Sequence, residues 1–348
     1  MQHRIKIPLN SLGQGRRSAL KLLAGSGLVA NLPELALAQN NKFALKLAIS
    51  LSESHPTVIG LRAACAKILE ETHGQLVVEV FPNGQLGSDS DTISQVRSGA
   101  IDLVCTTGAA WSTLIPAAAV PSAPFAFVNS QSAFAAMDGG LGAHIHSAFG
   151  KANLVQIGKT WDHGYRHITT STRPIIAVQD LRGVKLRVPA TAVLQMTFKA
   201  LGASPTSIPL GEAYTALQTR VVDGQENPLA IIEAQRFYEV QKYCSLTGHS
   251  WDGVWIAANP RVWNTVPESL RQIAIRVLDD HAVATRAALA LLSMSLRESL
   301  AQKGIVFNAV DVKPFREALN KAGTYKELQG KFGKEGWALL ENQVGVLA

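Results

Sequence analysis

Short strand patterns alternate with helical ones from Phe43 onward, and that order leaves few folds open. Phe43-Ala44-Leu45-Lys46-Leu47-Ala48-Ile49 alternates as a first strand. His55-Pro56 opens a helix to about Thr72, with Ile59, Ala63, Ala66 and Leu69 at helical spacing and Gly74 as its stop. Leu76 to Phe81 reads as a second strand, 88–98 as a helix capped by Ser88 or Asp89, and 101–106 as a buried strand. A β-α-β-α-β order predicts a mostly parallel sheet covered by helices. Ligands of such sheets sit beyond the carboxyl ends of the strands, where Ser50, Thr106, Thr107 and Gly108 fall.

The same organisation then repeats. An apolar, proline-rich connection runs from Pro116 to Phe127, followed by a helix expected over Ser132 to Phe149 and a strand at 153–160. Residues 161–167 read as a turn in which Gly164 allows a sharp crossing, and Tyr165 to Thr170 alternates as a strand. A second β-α run continues to about Gly248, and His249 to Trp255 crosses back into a strand at 256–258. A long helical pattern covers Pro267 to Gln302, with a strand at 304–308 and helices to the end. Two crossings predict a two-strand hinge, so that the two halves can close on a ligand.

Within the second half, Val184-Lys185-Leu186-Arg187-Val188 ends on Pro189, and the run from Val221 to Asn227 ends a short strand on Pro228. Proline cannot donate to a ladder, so both strands stop there. They present an arginine and an amide at their ends. A planar fork of five donors suits a carboxylate or phosphate held by two parallel hydrogen bonds.

These residues also resemble a known family. KLRVP at 185–189, GASPT at 202–206, EAYTALQ at 212–218 and VDGQENP at 222–228 are similar to the solute-binding subunit of tripartite ATP-independent periplasmic (TRAP) transporters, the DctP family. The resemblance runs from about Phe43 to about Phe332. It implies a two-lobed α/β fold of the periplasmic-binding-protein type, each lobe a mostly parallel sheet covered by helices, joined by hinge strands and a long helix. Lobe I would be 39–163 with 253–292, and lobe II 164–252 with 293–348. It implies a small organic acid held by Arg187, and a second arginine in a G-x-R pattern, matched by Gly164-Tyr165-Arg166. Its partners would be that carboxylate ligand and the membrane permease subunits, with uptake driven by an ion gradient.

The family's pattern adds Asn227, Asp89, Thr107 and Ser50 as polar contacts and Leu210 as an apolar neighbour, with Tyr214 on the same wall. Many relatives carry a carboxylate where Thr107 stands and an amide where Ser50 stands, so a sialic-acid-like ligand does not transfer. Asp89, Asn227, Ser50 and Thr107 favour a hydroxylated or sugar acid; an aromatic or 2-oxo acid would draw on the tryptophans, Trp251 above all.

Each residue also has a plainer reading. Arg166 could brace the hinge against Asp162 or Asp252, and Asn227 could tie down its own turn. Trp161, Tyr165, Trp251 and Trp255 could be hinge core. His163 and His167 beside Asp162 hint at a metal, but strand spacing does not bring them to one site, and no metal is expected. Gly139-Gly140-Leu141-Gly142 lacks the preceding strand of a phosphate loop and reads as a plain loop; no cofactor is expected. The rival function is a periplasmic hydrolase or lyase using His163, His167 and Asp252, or a ligand-sensing protein. A binding protein, not an enzyme, is the favoured reading.

Composition agrees. With 348 residues, 47% of them hydrophobic, the chain can bury one large or two ordinary cores. Its formal net charge of +7 is concentrated at the start. Without residues 1–38, 28 basic face 25 acidic residues, too mild an excess for a nucleic-acid partner. That start carries Arg16-Arg17, a short apolar run from Leu22 to Leu32 and Ala36-Leu37-Ala38, the pattern of a secretory, twin-arginine-like signal. It predicts export to the periplasm with cleavage after Ala38. Cys65, Cys105 and Cys244 are odd in number and unrelated in spacing, hence free thiols, and the protein is expected as a monomer.

Overall fold

The computed structural model describes residues 42–347. The expected export signal, 1–38, lies outside them.

Among the described residues nine strands form one sheet: β1 (Phe43–Ile49), β2 (Leu76–Phe81), β3 (Leu103–Thr107), β4 (Val155–Thr170), β5 (Lys185–Val188), β6 (Ser204–Ser207), β7 (Gly224–Asn227), β8 (Tyr243–Ala258) and β9 (Val306–Ala309). Their order is β2-β1-β3-β8-β4-β7-β5-β6, with β9 on β8. Parallel groups stand at both ends, as the β-α alternation predicts. Between them β4 and β8, 16 residues each, pair antiparallel along their length. These are the two crossings, and they join the halves edge to edge into one sheet. Residues 161–167 are therefore no turn. They are the middle of β4, which absorbs its change of direction through register shifts against β8 and through Gly164 at φ 98°.

The sheet separates two cores. Alternation puts Ala48, Val104 and Ala257 on one face, with Trp111, Phe149, Phe315 and Trp337. Leu47, Ile49, Leu103, Cys105 and Ile256 are on the other, with Leu61, Ile68, Leu278 and Leu300. Each core thus runs under both halves of the sheet.

Helix α1 (Pro56–Glu71) starts where His55 accepts the amide N–H of Thr57 on Nδ1 at 3.2 Å, with proline in its first turn. Helix α2 (Asp89–Ser98) has a full capping box between Ser88 and Asp91. The single helix expected over 132–149 is two, Ser130–Met137 and Gly140–Lys151. They meet so closely that a Cβ on Gly142 would lie 1.8 Å from the Met137 carbonyl oxygen. The glycine run at 139–142 is accordingly a helix start rather than a loop. Helix α3 (Glu268–Gln302) has 35 residues, roughly 50 Å of rise, and packs on α1, β4, β9 and the helix Leu229–Ala234. No helix among the described residues is long and apolar enough to cross a membrane. The three cysteines are free and buried, and burial pushes the Cys65 and Cys244 thiols up to about 12.

Candidate functional site

The carboxyl ends of β1, β3, β5 and β7 meet around a small cavity of about 30 Å³, room for one or two waters. Ser50 and Leu51 follow β1; Thr106 and Thr107 end β3; Arg187 and Pro189 end β5; Asn227 ends β7. Asp89 comes from the first turn of α2, Leu210 from the start of a helix, and His163 and Arg166 from the irregular middle of β4. Arg187, Arg166, Asn227, Asp89, Thr107, Leu210 and Ser50 therefore converge on one cleft, drawn from both halves of the chain.

The two arginines differ in what they are given. Arg166 is 3% exposed and grips Glu226, which is fully buried, from Nε to Oε2 at 2.5 Å and from Nη2 to Oε1 at 2.7 Å. Its Nη2 also reaches the Glu226 carbonyl and the Asn227 Oδ1. Burial would raise the Glu226 carboxyl, but the Arg166 charge and its hydrogen bonds hold it below the usual range. His249 adds a contact from Nε2 to Glu226 Oε2 at 3.0 Å. Arg166 is thus neutralised, by Glu226 and not by Asp162 or Asp252.

Arg187 is 2% exposed and donates only from Nε, to the Ile208 carbonyl at 2.8 Å. Among the described residues no carboxylate comes within 4.0 Å of it. Burial pushes its guanidinium down to about 10, because nothing sufficiently close repays the lost hydration. Among the described residues, the free positive charge lining the cleft belongs to Arg187.

The other lining groups are polar and mostly engaged. Asp89 Oδ1 accepts the Thr106 hydroxyl at 2.9 Å, and Thr107 caps a one-turn helix through the Ala110 N–H at 3.2 Å. Asn227 donates to Gln225 Oε1 at 2.5 Å while receiving Arg166, so both ends of its amide are used. Arg166 Nη1 lies 3.1 Å from His163 Nε2. Guanidinium only donates, so Nε2 accepts and the proton sits on Nδ1.

Residues 47–329 match the model of the family described as bacterial extracellular solute-binding protein, family 7. The chain belongs to that family, the TRAP solute-binding proteins. A solute-binding protein of Roseobacter denitrificans is 33% identical over 309 residues, 85% of this chain and 92% of the relative. An uncharacterized protein of Sinorhizobium fredii, y4mM, is 38% identical over 208 residues; the match spans 60% of this chain and 38% of that relative's length. Among solved structures, a TRAP periplasmic solute binding protein from Polaromonas, bound to D-erythronate, superposes with a TM-score of 0.82 at 28% identity, covering 86% of this chain and 98% of the other.

Two residues expected in the cleft of this family 7 protein lie elsewhere. Trp251 is 1% exposed, edge-on to Phe127 and Phe134, and donates its indole N–H to Asp162 at 3.1 Å. It is hinge core because β8 turns that face into the sheet's own packing. Tyr214 sits one turn beyond Leu210, on the helix side facing Glu239, whose carboxylate it binds at 2.8 Å. The His163, His167 and Asp252 group does not assemble on the cleft either. Of the three only His163 lines it. His167 accepts the Gly248 N–H, and burial takes it down to about 3; Asp252 accepts the Ala109 N–H. Among the described residues no three metal-ligating side chains come together.

Sequence reasoning overlooked Glu226 and His249. The signal for Glu226 was present: a strand of four residues bounded by proline, three of them polar, can be buried only if those groups are paired.

Proposed function

We propose that this family 7 protein captures a small hydroxylated carboxylate, a sugar acid or hydroxy acid, in the cleft and hands it unchanged to a membrane permease driven by an ion gradient. The observation that carries the reading is the contrast between the arginines: among the described residues Arg166 has its own carboxylate, and Arg187 has none. A ligand carboxylate would take the free Nη groups of Arg187, with Thr107, Asp89 and Ser50 available to hydroxyls. The relative bound to D-erythronate, a hydroxylated acid, supports that class.

The cavity of about 30 Å³ is too small for such an acid, so binding would require the cleft to open. The crossing strands β4 and β8 are the natural hinge, between a lobe of 39–163 with 253–292 and a lobe of 164–252 with 293–348. Export of the chain as a periplasmic monomer, with its leader removed after Ala38, completes the reading.

The test is a thermal-shift screen of the purified protein against hydroxy, sugar, aromatic and 2-oxo acids, followed by calorimetry on any hit. One narrow set of hydroxylated carboxylates should bind at one per chain and be recovered unaltered. Arg187→Lys keeps the charge but loses the fork, and one charge-assisted bond lost is worth about 1.5–3 kcal/mol, roughly 10- to 150-fold in affinity. An Arg187→Lys variant that binds as tightly as its parent, or a hit that is turned over, overturns the proposal.

A further inference from the structure

A second and larger cavity, about 800 Å³, shares the lining residue His163 with the cleft. Its remaining walls come from the crossing strands, from the segment of Phe125 and Phe127, and from α3 at Leu289, Met294 and Arg297, with Arg316 beyond. That volume is within the range of small-molecule sites, about 300–1,000 Å³. Val128, 83% exposed, and Met294, 79% exposed, mark its open side.

The chemistry of the walls is of two kinds. Phe125, Phe127, Tyr165 and Leu289 make an apolar body. Phe125 does so at φ 55°, a left-handed backbone that bulky residues avoid, held by its N–H bond to the His249 carbonyl at 2.9 Å. Against this stand two arginines, Arg297 and Arg316, and among the described residues neither has a carboxylate within 4.0 Å. Arg297 rests instead over the Phe307 ring at 5.8 Å. The Tyr165 hydroxyl is buried with no hydrogen-bond partner. Among the described residues the one lining carboxylate, Asp162, already takes the Trp251 indole N–H.

We propose that this cavity is a second small-molecule site, for an amphipathic organic anion whose apolar or aromatic body packs on Phe125, Phe127, Tyr165 and Leu289 while its carboxylate or sulfonate meets Arg297 and Arg316. The site is separate from the carboxylate cleft. Among the described residues it offers two arginines without a carboxylate where the cleft offers Arg187, and its lining is the more apolar of the two.

The experiment is calorimetry of the purified protein with 2-naphthoate and, as a neutral control, 2-naphthalenemethanol. Naphthoate is expected to bind at one per chain and the alcohol at least tenfold more weakly. The double variant Arg297→Glu, Arg316→Glu, with circular dichroism confirming its fold, should weaken naphthoate at least tenfold, and Arg187→Ala should leave it unchanged. No binding up to millimolar naphthoate overturns the proposal, as does equal binding of the alcohol. Loss of binding in Arg187→Ala with retention in the double variant places the probe in the cleft and also overturns it. Single replacements Arg297→Gln and Arg316→Gln, each expected to weaken binding, decide the matter should the double variant not fold.

Discussion

Asp252→Asn tests how the crossing strands carry charge. Asp252 is 1% exposed on β8, opposite Gly164. Its Oδ2 accepts the Ala109 N–H at a long 3.4 Å, and its Oδ1 is buried with no partner. Burial lifts the carboxyl to about 7, with the Arg166 charge offsetting only part of the effect. In the unfolded chain the same group titrates near 3.9. The folded state therefore binds the proton more tightly. The stability this provides is complete below about pH 3.9 and is lost as pH rises through about 7. A rise of about three units corresponds to about 4 kcal/mol. Asparagine imitates the protonated acid at every pH. Its amide N–H would face the unpartnered side, a fixed cost of about 1–3 kcal/mol that does not vary with pH. The informative quantity is the slope. Measured by urea unfolding at pH 5, 6, 7 and 8, the stability of Asp252→Asn relative to the parent should climb by about 2.5 kcal/mol, the rest of the effect lying below pH 5, with unchanged m-values. The buried histidines titrate in both proteins and cancel in the difference. A gap that stays flat within about 0.5 kcal/mol across that range would refute the reasoning.

Three further outcomes are expected. Glu226→Gln strands the buried Arg166 charge and should cost about 3–5 kcal/mol in urea unfolding; a loss under about 1 kcal/mol would mean the pair does not brace the hinge. Gly108→Ala would put a Cβ 2.2 Å from the Ala118 carbonyl oxygen, so a loss of about 1–3 kcal/mol is expected, with weaker ligand binding because Thr107 is its neighbour. Ser88→Ala removes one half of the α2 capping box and should cost about 1 kcal/mol, read as a lower melting temperature with ligand binding retained.

Much of the fold was legible because its signals are local. The alternation in 43–49, the proline stops after Val188 and Asn227, and the cap at Ser88 each depend on a few neighbouring residues. What was not legible depends on distant ones. A glycine at positive φ reads as a turn, yet Gly164 sits in a continuous strand because its β8 partner, Asp252, arrives from far along the chain. The break after Met137 follows from the contact of Gly142 with the Met137 carbonyl, which apolar spacing across 132–149 does not reveal. The same holds at the cleft. Strand ends indicate where Arg187 and Asn227 stand, but the direction in which Trp251 and Tyr214 point is settled by packing against Phe127 and by Glu239.

The division of labour between the arginines explains how such a cleft can respond to its ligand. Two buried guanidinium groups on one small cavity would repel each other and each lose hydration. Glu226 removes that difficulty for Arg166 alone, leaving it as a strut between β4 and β7. Arg187 keeps the cost. Burial pushes its guanidinium from the ordinary value down to about 10, which corresponds to about 3 kcal/mol against the charged form in the empty cleft. A ligand carboxylate making two charge-assisted bonds supplies about 1.5–3 kcal/mol for each. On the proposed reading the return would equal or exceed the penalty, and it would be available only with the cleft closed around the ligand. A ligand shifts an equilibrium by no more than its differential affinity for the two states, and on the proposed reading that difference would reside in one side chain. An acid partner placed beside Arg187 would remove the penalty and, with it, the preference of the closed form for an occupied cleft.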